Sequence, residues 1–125
     1  MRDLHCGDRN WTDREPIRFF IQGKFDGFTA DVIIHGAERG ADSIAGEIAE
    51  KLGIEVEAYP AEWDEYGKAA GVIRNQQMLE VGMPDRVIFW HKNLEKSKGT
   101  RDMVRIAKEA GVTVIDGWKY WLKQL

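Results

Sequence analysis

The sequence holds a single cysteine among its 125 residues. Cys6 has no partner for an internal disulfide, which fits a reducing compartment and excludes the disulfide-stapled secreted scaffolds. There are only three prolines, and no stretch is biased toward one residue type or one charge sign. Neither a stiff linker nor a low-complexity tail therefore divides the chain. No window approaches the ~18 consecutive apolar residues of a membrane span. No basic, apolar-cored leader precedes the first predicted strand, so a cytoplasmic location is expected. Excess positive charge is missing as well: 18 Lys and Arg stand against 21 Asp and Glu, for a net charge of −3. Duplex nucleic acid is offered no general electrostatic footprint, and neither a nucleic-acid nor a membrane partner is expected. Metal-ligand spacing is lacking too. His35 and His91 fall at strand ends near Cys6, yet no Cys/His pair and no H-E-x-x-H helix accompanies them. Satisfied or solvent-facing histidines, an inert core cysteine, no metal and no resident cofactor are the expectation.

What remains is a globular composition, 43% apolar and 31% charged, of a length suited to one domain spanning residues 1–125. Apolar runs alternate with helical periodicity from end to end, as βα units feeding a parallel sheet do. Strands are predicted at Arg2–Cys6, Asp31–His35, Ile54–Tyr59, Arg86–Trp90 and Val112–Ile115. The first is the weakest by pattern, because Asp3 and His5 interrupt it. Thr12 and Glu15 have capping-box spacing ahead of a first helix whose buried stripe is Ile17, Phe20 and Ile21. In the second helix Ala41, Ile44, Ala45, Ile48, Ala49 and Leu52 share one face, and Gly53 closes it. Further helices are predicted over Lys68–Val81 and Thr100–Ala110, with a short one over Trp118–Leu125. The joints Ala49–Val56 and Ala107–Val114 repeat the same helix–Gly–strand chemistry. With right-handed crossovers, the economical topology is a Rossmann-like, doubly wound α/β domain of five mainly parallel strands.

Ligands of such sheets sit beyond the carboxyl ends of the strands, so the loops there should carry the chemistry. Strand two runs into Gly36-Ala37-Glu38-Arg39-Gly40-Ala41-Asp42. The small residues Gly36, Ala37, Gly40 and Ala41 allow close backbone approach, and the helix N-terminus favours an anion. Asp42 is either an acceptor for a ribose hydroxyl or a first-turn acid that helps the helix start. Gly99-Thr100 opens a second helix in the same way. Strands two and four flank strand one in the doubly wound order, which lets both helix ends converge on one phosphate. Between them, Arg74 and Asn75 sit inside a helix. They either meet phosphate and ribose or form a solvated helix face. Gly67-Lys68 is not a P-loop, because Ala69 follows and Glu62 stands where the first glycine belongs. Trp63 and Tyr66 either stack on a base or cover an interface. Arg9, Arg39, Lys68, Arg74, Lys96, Lys98 and Arg101 all map to this edge, interleaved with Asp8, Glu38 and other acids. The aromatic C-terminus, with Trp118, Tyr120 and Trp121, either docks on its own sheet or forms a homodimer or larger homo-oligomer.

Gly36-x-x-x-Gly40-Ala41-Asp42, Pro60-Ala61-Glu62-Trp63, Gly67-Lys68-Ala69-Ala70-Gly71, Arg74-Asn75-x-x-Met78 and Gly99-Thr100-x-x-Met103 occur in order. Together they resemble the YspA (cpYpsA-related) branch of the SLOG superfamily, which also holds the SMF/DprA proteins and the LOG phosphoribohydrolases. The resemblance covers residues 4–116. The loop Gly7-x-Arg9-x-Trp11 also fits, with Asp8 where the family commonly has serine. The resemblance implies a Rossmann-like domain that binds a nucleotide-type small molecule, NAD or ADP-ribose derivatives included, as a sensor or sequestering module. Its hydrolytic LOG relatives pair R-K-x-x-M with G-T-x-x-E. Here Asn75 replaces the lysine and Met103 the glutamate, and a thioether cannot do a carboxylate's work. A hydrolase of the N-glycosidic or phosphoester bond would rest on Arg74 with Asp42 or Asp102 as the substitute acid. The ligand-binding set expected on all these grounds is Gly7, Arg9, Gly36, Ala37, Gly40, Ala41, Asp42, Lys68, Arg74, Asn75, Gly99 and Thr100.

Overall fold

A computed structural model describes all residues from Met1 to Leu125. Five strands form one sheet in the order β3-β2-β1-β4-β5, and every neighbouring pair is parallel. The strands are β1 (Arg2–Gly7), β2 (Val32–His35), β3 (Glu55–Ala58), β4 (Arg86–Trp90) and β5 (Thr113–Asp116). Helices α1 (Arg14–Ile21), α2 (Ala41–Lys51), α3 (Trp63–Tyr66), α4 (Ala70–Glu80), α5 (Lys98–Glu109) and α6 (Gly117–Leu122) complete the chain. The expected Rossmann-like parallel architecture is what forms. No helix is long and apolar enough to cross a membrane.

The two-residue period of the strands divides the core between the sheet's two faces. Ile33, Ile88 and Trp90 pack with α1 and α2, while Leu4, Cys6, Val32, Ile34, Val87 and Phe89 pack with α4 and α5. β1, expected to be the weakest strand, is instead the central one. Its two polar residues are buried rather than disruptive, Asp3 being fully paired and His5 partnered through Nδ1 alone, its Nε2 having no partner. Asp3 receives Arg86 bidentately at 2.9 and 2.6 Å, and the same guanidinium reaches Asp26 at 2.5 Å. His5 accepts from Trp90 Nε1 at 3.0 Å and stacks on that indole. Burial lowers the His5 pKa to about 3, with Arg86 adding to the effect, so the ring is neutral.

Helix ends differ from expectation where a nearby side chain makes a better cap. α1 starts one residue past the Thr12 box, because Asp13 accepts from Glu15 N. α5 starts at Lys98 rather than Thr100, because Ser97 accepts from Thr100 N at 3.2 Å. The helix predicted over Lys68–Val81 forms as α4 from Ala70, its first residues lying in a 3₁₀ turn over Gly67–Ala69, and the short α3 ahead of it is an additional piece. Gly67, with φ of 56°, separates the pieces. The C-terminal helix ends at Leu122 and docks on its own chain. Trp118 packs edge-on to Trp11 and Trp121 to Phe19, leaving Tyr120, Leu122 and Leu125 outward.

Candidate functional site

The carboxyl ends of β1 and β4 open onto a cleft of about 700 Å³, within the range of small-molecule sites. One wall is the β1 loop, Gly7 to Asn10; the facing wall is Lys96 to Thr100 at the start of α5. Lys68, Gly71, Val72, Arg74 and Asn75 enter from α4 and its approach, with Trp63 at the rim. Cys6, Met78 and Met103 form a buried floor of three sulfur-bearing side chains. Burial pushes the Cys6 thiol up, aided by the Asp42 charge, so it is no nucleophile at neutral pH.

The two helix N-termini expected to share an anion behave differently. That of α5 lines the cleft, and the amides of Lys98 and Gly99 have no protein acceptor. That of α2 is taken up by the protein at two of its first three amides, the Asp42 amide alone having no acceptor. Asp8 O accepts from Ala41 N at 3.1 Å, and Glu38 O accepts from Ser43 N at 3.2 Å. Gly40 makes the first contact feasible: its φ is 83°, and a Cβ there would lie 2.4 Å from Asp8 O. Gly36, Ala37, Gly40 and Ala41 consequently lie outside the lining, and Ala37 N donates instead to His35 Nδ1 at 2.9 Å.

Asp42 is a first-turn acid of α2, as one of its two readings has it, but its carboxylate also reaches back into the preceding loop. Its Oδ2 accepts from Gly36 N at 3.0 Å and Glu38 N at 3.4 Å, so it pins the β2–α2 loop from within. Burial raises its pKa to about 7 against the opposing pull of Arg74. The second oxygen, Oδ1, has no protein partner, and Asp42 lines the cleft.

Arg74 is buried with its head in the cleft rather than on a solvated face. Its Nη1 donates to Gly36 O at 2.5 Å and lies 3.6 Å from Glu38, while Nε donates to Asn75 Oδ1 at 3.0 Å. A Cβ on residue 36 would sit 2.7 Å from that Nη1, so glycine there permits the approach. The other terminal nitrogen, Nη2, has no protein acceptor and is open to the cleft. Asn75, also buried, is committed as a brace. Its Nδ2 donates to Gly99 O at 3.1 Å and to Asp102 Oδ2 at 3.0 Å, tying α4 to the opening of α5. Asp102 does not line the cleft; Arg105 holds its other oxygen at 3.0 Å.

Of the cations mapped to this edge, Arg9, Lys68, Arg74, Lys96 and Lys98 line the cleft. Arg39 instead reaches Asn10 at 3.1 Å, and Arg101 turns to Glu95. Asp8, whose charge threatened the site, is engaged locally: Oδ1 accepts from Asn10 N at 2.9 Å, and Oδ2 is 3.8 Å from His91 Nε2. Ser97, Met78 and His91 line the cleft without having been singled out for it. Ser97 carried a signal, a hydroxyl three residues ahead of Thr100.

Fold and cleft together define a parallel Rossmann-like α/β domain with a polar pocket at the carboxyl edge of its central strands. The chain belongs to the YspA, cpYpsA-related SLOG family, whose model matches residues 1–66. It is 35% identical over 121 residues to the Gene 61 protein of Mycobacterium phage D29, covering 92% of this chain and 94% of that one. The X-ray structure of DNA processing protein A (DprA) from Streptococcus pneumoniae shares the fold with a TM-score of 0.69 at 20% identity. That match covers 90% of this chain, which spans about half of the solved one (48%).

Proposed function

We propose that the cleft binds the phosphate of a nucleotide or nucleotide-derived ligand, of the NAD or ADP-ribose kind, and that the protein acts as a sensor or sequestering module. Membership of the SLOG family points to a nucleotide-related ligand. The observation that carries the reading is the pairing of the open Arg74 Nη2 with the unpartnered amides of Lys98 and Gly99 in one cleft. Planar guanidinium and helix-end amides are complementary to a phosphate's oxygens. Lys68, Lys96 and Lys98 add attraction from the rim. Isothermal titration with ADP-ribose, NAD and ribose 5-phosphate tests this. At least one should bind, with affinity reduced about tenfold or more in Arg74→Ala and in the rim variant Lys96→Ala/Lys98→Ala. Absence of heat for all three at millimolar concentration would overturn the reading.

A second reading, hydrolysis of the N-glycosidic or phosphoester bond of such a ligand, has one observation in its favour. Asp42 brings a carboxyl with a pKa near 7 to the same cleft as Arg74, suited to giving a leaving group its proton. Water would supply the hydroxyl to the anomeric carbon or phosphorus. Met103, buried in the floor, cannot share that role. Release of free base or ribose phosphate, abolished by Asp42→Asn with binding retained, would establish it. As a homo-oligomer the chain would use the outward Tyr120, Leu122 and Leu125, and light scattering on the intact protein reads that state directly.

A further inference from the structure

The cleft is chemically divided, and only one part of it suits a phosphate. Arg74 and the α5 amides crowd one end beside the sheet. Five of the lining residues are hydrophobic; Cys6, Met78 and Met103 are buried in the floor, whereas Trp63 and Val72 are 53% and 56% exposed. Trp63 and Val72 leave apolar surface on the lining of a polar cleft, the setting in which exposed apolar groups mark a ligand-binding groove. Trp63 belongs to α3, the short helix cut off from α4 by the 3₁₀ turn, and no aromatic ring of the protein packs on it. Gly71 lies beneath its edge, where a Cβ would meet the indole Cη2 at 3.4 Å. Val72 and Trp63 thus make an apolar flank beside a polar, cationic pocket. That combination matches a molecule with a flat aromatic part and an anionic part.

From this we infer that Trp63 is the stacking platform for the nucleobase, so that the ligand class is an intact nucleotide and not a sugar phosphate. The inference rests on the phosphate reading above and adds the base to it. An aromatic face stacks on any base and favours the larger purines. The sugar would then span from the α4 side toward Arg74, leaving the phosphate at the opening of α5.

Titration of the full chain with adenosine 5′-monophosphate and with ribose 5-phosphate separates the two claims. The nucleotide should bind about tenfold or more tightly than the sugar phosphate, as one stacked base implies. Trp63→Ala should remove that preference and leave ribose 5-phosphate affinity unchanged, while Trp63→Phe should retain part of it. Circular dichroism and a melting curve establish that each variant folds; the exposure of Trp63 predicts an unchanged melt. Equal affinity for the two probes in the parent protein, or an undiminished preference in folded Trp63→Ala, overturns the base platform and leaves the phosphate site standing. Failure of both probes to bind removes the phosphate reading, and the platform with it.

Discussion

Asp42 shows how one residue's surroundings redirect its chemistry. As the second residue of a helix it reads as a ribose acceptor or a first-turn acid, but Gly36 and Glu38 turn their amides onto it, and burial lifts its pKa to about 7 from 3.8. A folded-state pKa above the unfolded one stabilises the fold below the unfolded value, and that contribution is lost as pH rises through the folded one. Asp42→Asn retains an acceptor oxygen without the charge. Its stability relative to the parent should therefore increase between about pH 4 and pH 7, by about 1–3 kcal/mol, in denaturant titrations at both ends of that window. His5 works in the opposite sense. Its pKa is depressed, so the unfolded chain takes up protons below pH 6.5 that the fold refuses, and stability falls with acid. Because His5 is common to both proteins, its effect cancels in the difference. A gain that does not grow with pH would contradict the assignment for Asp42.

At the level of elements, α5 depends on a cap that also shapes the cleft. Ser97 takes the Thr100 amide, and Asn75 holds the Gly99 carbonyl from α4. Ser97→Ala should cost about 1 kcal/mol of stability in chemical denaturation, the usual value of a lost hydroxyl cap. It should also weaken ribose 5-phosphate binding, whereas Asp13→Ala at the start of α1 should match the stability loss alone. The elements themselves were largely legible. Arg86–Trp90 matches β4 to the residue. Ala41, Ile44, Ala45, Ile48 and Ala49 form the buried face of α2, with Leu52 of the same stripe exposed at the C-cap. Both could be read because continuous apolar runs and a 3.6-residue stripe are local signals. The course of the chain from Trp63 to Ala69 was not, since a four-residue helix and a 3₁₀ turn are too short to show a period. Nor was the closing of the α2 terminus, which depends on a carbonyl from Asp8, far away in sequence. Long-range hydrogen bonds leave no spacing to read. Gly36 and Gly40 stand out for their smallness, and in the structure that smallness makes room for Arg74 and Asp8.

Across the whole molecule, the two ends of the sheet are finished differently. At the amino end of β4, Arg86 is locked to Asp3 and Asp26 beneath the ring of Phe20. At the carboxyl end the loops frame an open cleft. α6 seals the side face, where Trp118 covers Trp11 and Gly117 lies against the Trp90 ring. A chain ending at Asp116 should consequently melt several degrees lower, roughly 3–5 °C for each kcal/mol lost in a domain of this size. Trp118→Ala in the full chain should reproduce part of that shift. A truncated protein with an unchanged melting temperature would mean that the aromatic contacts of α6 contribute nothing to the fold.

The sulfur floor of the cleft carries a last consequence. Thioethers and a thiol held protonated by burial add no charge of their own, so the field an occupant feels comes from the buried Arg74 at one end and from the lysines at the mouth. The lysines there are bathed in electrolyte, and mobile counterions compete for them over distances of roughly 10 Å at ordinary ionic strength. Occupancy would then respond to the salinity of the surroundings through the lysines, while buried Arg74 is screened far less and the soft, polarisable base of the pocket grips by dispersion and is indifferent to it.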